Sequence, residues 1–174
     1  STVLDILADF TLFEVPASND GTASLNKIVP RYTQYEAVQL IVDRVTAPGR
    51  RKGLIYHTQG SGKTLAMVFA AGKLLHDPHL KNPTIVLVAD RVQLVSQMWD
   101  QFRTTSMPRL IVPETAAELR DLLASDRRGL IFTTVHKFAD APVLNERSNI
   151  VVMVDEAHRT QEGDLGIAMR AALP

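Results

Sequence analysis

The segment His57-Thr58-Gln59-Gly60-Ser61-Gly62-Lys63-Thr64 gathers two glycines, a lysine and a hydroxyl into one short stretch. A phosphate cradle needs backbone amides turned inward at oxygen atoms, and glycine removes the Cβ that would block the approach. The helical pattern that follows, Leu65-Ala66-Met67-Val68-Phe69, adds the N-terminal amides and the positive dipole end of a helix. In such a loop Lys63 reaches the β and γ phosphates, and the Thr64 hydroxyl coordinates magnesium. Thr58, Gly60, Ser61 and Gly62 complete the expected nucleotide-binding set, with ATP and Mg2+ as the expected cofactors. The match to G-x-x-x-x-G-K-[ST] fails only at its first position, where His57 stands instead of glycine.

A second constellation lies downstream, where Ile150-Val151-Val152-Met153-Val154 runs straight into Asp155-Glu156-Ala157-His158. Two carboxylates at the end of a core strand are costly unless they face a cleft and something positive. In open α/β sheets, ligands sit at that edge. A magnesium ion supplies the charge, with Asp155 binding it through water and Glu156 polarising the attacking water. Lys63, Asp155 and Glu156 are therefore the expected catalytic residues. The plainer alternative is that the two acids cap the next helix. His158 is expected to couple the nucleotide site to the rest of the domain, the alternative being a satisfied core histidine.

These groups need a scaffold, and the chain alternates strands and helices in the required way. Gly53-Leu54-Ile55-Tyr56-His57 reads as a short buried strand before a helix over 63–76. A strand at 84–89, helices at 92–102 and 114–124, and strands at 129–133 and 149–154 follow. Aliphatic runs of this length between helical segments mark strands buried on both faces of a parallel sheet. The expected fold is α/β, a doubly wound, mainly parallel sheet with helices on both faces. Upstream, Val3, Leu4, Ile6, Leu7 and Phe10 give an amphipathic helix over the first ten residues, and a polar stretch covers 16–22. Pro30 opens a helix through about 45 with Ala37, Val38, Ile41 and Val45 on one face, and Pro48-Gly49 stops it. Pro108 and Pro113 bracket an Arg-Leu-Ile-Val run that fits an edge strand.

Composition sets the outer bounds. A chain of 174 residues with 45% hydrophobic and 22% charged residues suits one globular domain with a real core. Lysine plus arginine equals aspartate plus glutamate at 19 each, so no global basic field marks a nucleic-acid binder, and Arg50-Arg51-Lys52 is only a local patch. The absence of cysteine excludes disulfides, cysteine-ligated zinc and a thiol nucleophile. No apolar run approaches the roughly 18 residues of a membrane span, and no basic n-region opens the chain. The expectation is a cytoplasmic protein with no membrane partner.

The Asp155-Glu156-Ala157-His158 tetrad with the Gly60-Ser61-Gly62-Lys63-Thr64 loop resembles motifs II and I of the superfamily 2 helicases and translocases. The resemblance narrows on four ordered segments. These are Arg31-Tyr32-x-Gln34-Tyr35-x-Ala37-Val38, the loop beginning His57-Thr58-Gln59, Ala89-Asp90-Arg91-x-x-Leu94, and Thr133-Thr134-x-x-Lys137-Phe138. Their order and wording are similar to the motor subunit of type I restriction endonucleases, where the loop start accounts for the missing first glycine.

That resemblance implies a RecA-like P-loop NTPase domain over 30–174, the first of two and truncated before motif III. It makes 1–29 an N-terminal helix and linker from an upstream nuclease domain. It implies an ATP-driven translocase on double-stranded DNA, partnered by modification and specificity subunits in a bacterial or archaeal cytoplasm and weakly active as a fragment. Gln34 would read the adenine edge with Arg31 beside it, the alternative being an ordinary polar residue at a helix start. Arg91, Thr133, Thr134 and Lys137 would lie near the nucleic acid, mostly at phosphates, although Thr133 and Thr134 are also ordinary strand-end residues. Competing readings are another superfamily 2 DNA or RNA helicase, a P-loop phosphotransferase, and a non-enzymatic ATP-sensing module.

Overall fold

The computed structural model describes Ile6 and residues 10–14, 26–49, 52–56, 58, 60–89, 110–155 and 164–174. In chain order the described elements are strands β1 (Leu12–Glu14) and β2 (Asn26–Ile28), helices α1 (Tyr32–Thr46) and α2 (Lys63–His76), and strands β3 (Thr84–Ala89) and β4 (Leu110–Ile111). Helix α3 (Ala116–Ala124), strands β5 (Gly129–Thr134) and β6 (Ile150–Val154) and helix α4 (Asp164–Ala172) complete the set, with 3₁₀ turns at Pro78–Leu80 and Val135–Phe138. The chain divides into two compact units, residues 1–74 with 100–107 and residues 75–99 with 108–174.

The second unit holds a four-stranded sheet in the order β4-β5-β3-β6, every pair parallel. All six residues of β3 and all six of β5 are buried, so successive side chains are covered on both faces, as their unbroken apolar runs predict. On one face Val86, Val88 and Ile131 cluster with Leu119 and Leu123 of α3, Val135 and Phe138 of the second 3₁₀ turn, and Met169 and Ala172 of α4. The protein is thus an α/β domain with a parallel sheet, as expected. Among the described residues no helix is long and apolar enough to cross a membrane.

Arg147 straps the amino-terminal edge of this sheet. Its guanidinium donates to Thr84 Oγ1 at 3.1 Å, Asn145 Oδ1 at 3.3 Å and Asp126 Oδ1 at 2.9 Å, joining the start of β3 to the loops before β5 and β6. Burial, then the neighbouring Arg128, hold its pKa below the usual arginine value, with Asp126 opposing them.

In the first unit β1 and β2 pair antiparallel, Leu12 opposite Ile28. Phe10 is wholly buried there, its ring 4.9 Å from that of Tyr35 and 5.6 Å from that of Phe69, with the Lys73 ammonium 4.9 Å from its centroid. An N–H···O bond of 3.2 Å from Phe10 to Ile6 has the spacing of a helical turn.

Most boundaries fall within two residues of the expected ones, and capping explains one shift. The helix expected from 114 begins at Ala116, because Thr115 Oγ1 accepts the Glu118 N–H at 3.1 Å while Glu118 Oε2 accepts the Glu114 N–H at 2.7 Å. The edge strand suggested between Pro108 and Pro113 exists as β4, paired with β5.

One element is corrected. The strand expected at Gly53–His57 does not form: residues 52–56 carry no regular secondary structure, with Leu54 81% and Tyr56 89% exposed. An apolar segment becomes a strand only when a neighbour takes its backbone N–H and C=O groups, and among the described residues none pairs with it. The helix over 92–102, the polar stretch 16–22 and most of the first helix lie outside the described residues.

Candidate functional site

The phosphate loop is built on two left-handed glycines, Gly60 at φ +78° and Gly62 at φ +80°. That region is sterically unfavourable for residues bearing a Cβ, so the glycines permit the turn that reverses the chain before α2. The Ser61 N–H bonds to Thr58 O at 3.2 Å, closing the turn, and the Ala66 N–H bonds to Gly62 O at 3.1 Å as the first rung of the helix. A Cβ built on Gly60 meets nothing within 4 Å among the described residues. The Ser61 hydroxyl is buried and finds no hydrogen-bond partner among the described residues.

Charge at this helix start is unusual. Lys63 is the first residue of α2, and the first turn contains no acidic residue. Helix N-termini carry about half a positive charge and ordinarily attract carboxylates. A helix start that carries a cation instead of an acid, and is entered through a glycine turn, suits the approach of an anion to its backbone N–H groups. Lys63 and Thr64 are both half-buried at the mouth of this turn.

Gln34 belongs to the same unit and touches the loop directly. It is 4% exposed. Its Nε2 donates to Ser61 O at 3.0 Å and Gly62 O at 3.2 Å, while its Oε1 accepts the Arg31 N–H at 2.8 Å. These three partners fix which end of the amide is oxygen. Both N–H donors are engaged, so pairing with adenine N6 and N7 requires the amide to release a loop carbonyl. Arg31 itself is exposed at the N-cap of α1. The contact between Gln34 and the loop was not readable from the sequence, and its one local signal is a glutamine three residues into a helix.

The second unit brings its expected residues to one edge of the sheet. The register sets Ala89 opposite Thr134, and Val88 opposite both Thr133 and Val154, so β3, β5 and β6 end together. Asp155 follows immediately; its N–H continues the ladder to Val88 O at 2.9 Å, and the residue is 9% exposed. Thr133 and Thr134 are buried, at 1% and 5% exposure, and the Lys137 ammonium donates to Pro113 O. As placed, the two threonines belong to the core end of β5 and Lys137 ties its 3₁₀ turn to the loop before α3. His57, Gln59, Arg91, Glu156 and His158 lie outside the described residues.

A glycine-hinged loop opening a helix, and an acidic strand end on a parallel sheet, are features of the α/β P-loop NTPases. The chain is a member of the SWI2/SNF2 ATPase family, whose profile matches residues 33–174. Within that class it is similar to type I restriction enzyme endonuclease subunits. It is 42% identical to the HindI subunit of Haemophilus influenzae over 92% of this chain, and 35% identical to the subunit designated MjaIXP of Methanocaldococcus jannaschii over 85% of it. A Staphylococcus aureus subunit, SauCOLORF180P, is 30% identical over 76%. These relatives bear out the resemblance read from the motifs. The chain spans only 16% of the length of the first two and 15% of the third.

Proposed function

We propose that this chain is the nucleotide-binding half of an ATP-driven DNA motor within a restriction endonuclease subunit. In the whole enzyme, ATP hydrolysis would move double-stranded DNA while modification and specificity subunits complete the complex. The observation that carries the reading is the start of α2, where two left-handed glycines, Gly60 and Gly62, turn the chain into a helix whose first residues are Lys63 and Thr64. A triphosphate would lie against the unpaired N–H groups at this helix start. The names of the relatives direct the work toward DNA, and their bacterial and archaeal sources toward a prokaryotic cytoplasm.

Roles follow from side-chain chemistry. Lys63 holds the β and γ phosphates, and the buried Ser61 hydroxyl, which finds no hydrogen-bond partner among the described residues, is assigned as a further donor to them. Bound magnesium would neutralise phosphate charge, and the hydroxyl of Thr64 and the carboxylate of Asp155 are the oxygen donors we assign to it. Such a sparse set suits an ion held mainly by phosphate and water. Glu156 is assigned the orientation of the attacking water, and His158 the coupling of that site to the DNA-binding elements. Arg91, Thr133, Thr134 and Lys137 are assigned to the DNA side, the two buried threonines by shaping the end of β5 beneath that surface and not by touching a phosphate.

Because an arginine from a second motor domain stabilises the transition state in this reading, the 174-residue chain should bind Mg-ATP and turn it over slowly. Calorimetry with Mg-ATP should give binding that Lys63→Ala abolishes, and steady-state assays should give a rate little changed by DNA. Vigorous DNA-stimulated turnover lost in Lys63→Ala would show that the site is complete without a second domain. Absence of ATP binding by the unsubstituted chain would overturn the reading altogether.

A further inference from the structure

We infer that Gln34 is a positioning residue for the phosphate loop, acting on any triphosphate whatever its base. This rests on the phosphate-loop reading above. It concerns how the loop is held in shape, not what the base edge meets.

The argument begins with peptide planarity. In a trans peptide the C=O and N–H of one unit point in opposite directions. The carbonyl of Ser61 shares its plane with the Gly62 N–H, and the carbonyl of Gly62 shares its plane with the Lys63 N–H. By donating to both carbonyls, at 3.0 and 3.2 Å, Gln34 fixes the direction in which the Gly62 N–H aims and reinforces that of the Lys63 N–H, whose carbonyl partner also accepts the first helical bond from Ala66. The loop needs such a constraint. Gly60 and Gly62 reach positive φ freely, so the same glycines that permit the turn also let the intervening peptides rotate. A carbonyl turned into the cradle would face phosphate oxygens with like partial charge.

Two further observations fit a brace. The Gln34 amide is itself immobilised, by the Arg31 N–H at 2.8 Å and by burial to 4% exposure. It also lies so close to Gly62 that a Cβ there would collide with Nε2, so Gly62 makes room for the amide as well as for its own backbone angle. Only one acceptor lone pair of Oε1 remains uncommitted, and adenine N7 needs a donor.

The test is calorimetric titration of the 174-residue chain with Mg-tripolyphosphate, which has no base, alongside Mg-ATP and Mg-GTP. Gln34→Ala should weaken all three by a similar factor, about fivefold or more for the lost loop bonds. Gln34→Glu keeps the size and the acceptor for Arg31 but presents a carboxylate to two carbonyls, and should lose at least as much. Thermal melting checks that both variants fold. In amide NMR spectra, tripolyphosphate should shift the Gly62 and Lys63 signals of the unsubstituted chain strongly and those of Gln34→Ala weakly, which a fault elsewhere in the fold would not produce. A loss confined to ATP, with tripolyphosphate and GTP binding unchanged, overturns the inference in favour of base reading. If the unsubstituted chain binds no triphosphate, the phosphate-loop reading fails and this inference fails with it.

Discussion

Phe10 offers the sharpest test of where the folded unit begins. If residues 1–29 were only a helix and linker leading from an upstream domain, removing this ring would cost the folded unit almost nothing. In the structure it is fully buried between Tyr35 of α1 and Phe69 of α2, so Phe10→Ala empties a site bounded by two helices. Truncating a buried phenylalanine costs about 3–5 kcal/mol, including the cavity left behind. Within that, the two tilted ring contacts contribute about 0.5–1.5 kcal/mol each and the Lys73 ammonium about 0.5–1 kcal/mol. For a chain of this size, a loss of about 4 kcal/mol lowers the melting temperature by roughly 8–16 °C. Circular dichroism melts of the parent, Phe10→Ala and Phe10→Leu measure it directly. Leucine retains most of the buried volume and should cost only about 1–1.5 kcal/mol. If the two units melt separately, only the transition of the first should move. A loss below about 1 kcal/mol for alanine would refute the reasoning and return Phe10 to a dispensable linker.

Two further substitutions probe the second unit. Arg147→Ala should cost about 1–2 kcal/mol by urea unfolding, mostly through its bonds to neutral acceptors, because its acidic partner Asp126 is 74% exposed and that ion pair is screened. The loss should therefore persist in 1 M salt, and Arg147→Lys should recover little of it, since an ammonium cannot span the same acceptors. Thr115→Ala removes the N-cap of α3 and should cost about 1 kcal/mol in thermal melts, while Thr115→Ser should be nearly neutral.

What the sequence disclosed and what it withheld divide along a physical line. The helix from Lys63 to His76 and the strand Thr84–Ala89 have the expected bounds because their signals are local: a glycine-rich entry at one end, an unbroken aliphatic run in the other. The parallel sheet was legible for the same reason, since side chains buried on both faces leave no alternation to misread. Gly53–His57 carries the same aliphatic signal, yet residues 52–56 form no strand, because strand identity depends on a partner that the segment itself cannot encode. Gln34 is the opposite case. The family resemblance implies contact with a base, and the structure adds contacts that no local signal announced: its amide donors meet carbonyls 27 and 28 positions away in sequence. Glycine spacing announces that peptides in the loop are free to turn. Which way they turn is decided by a buried amide on another helix, and that choice determines whether the loop offers phosphate an N–H or an oxygen.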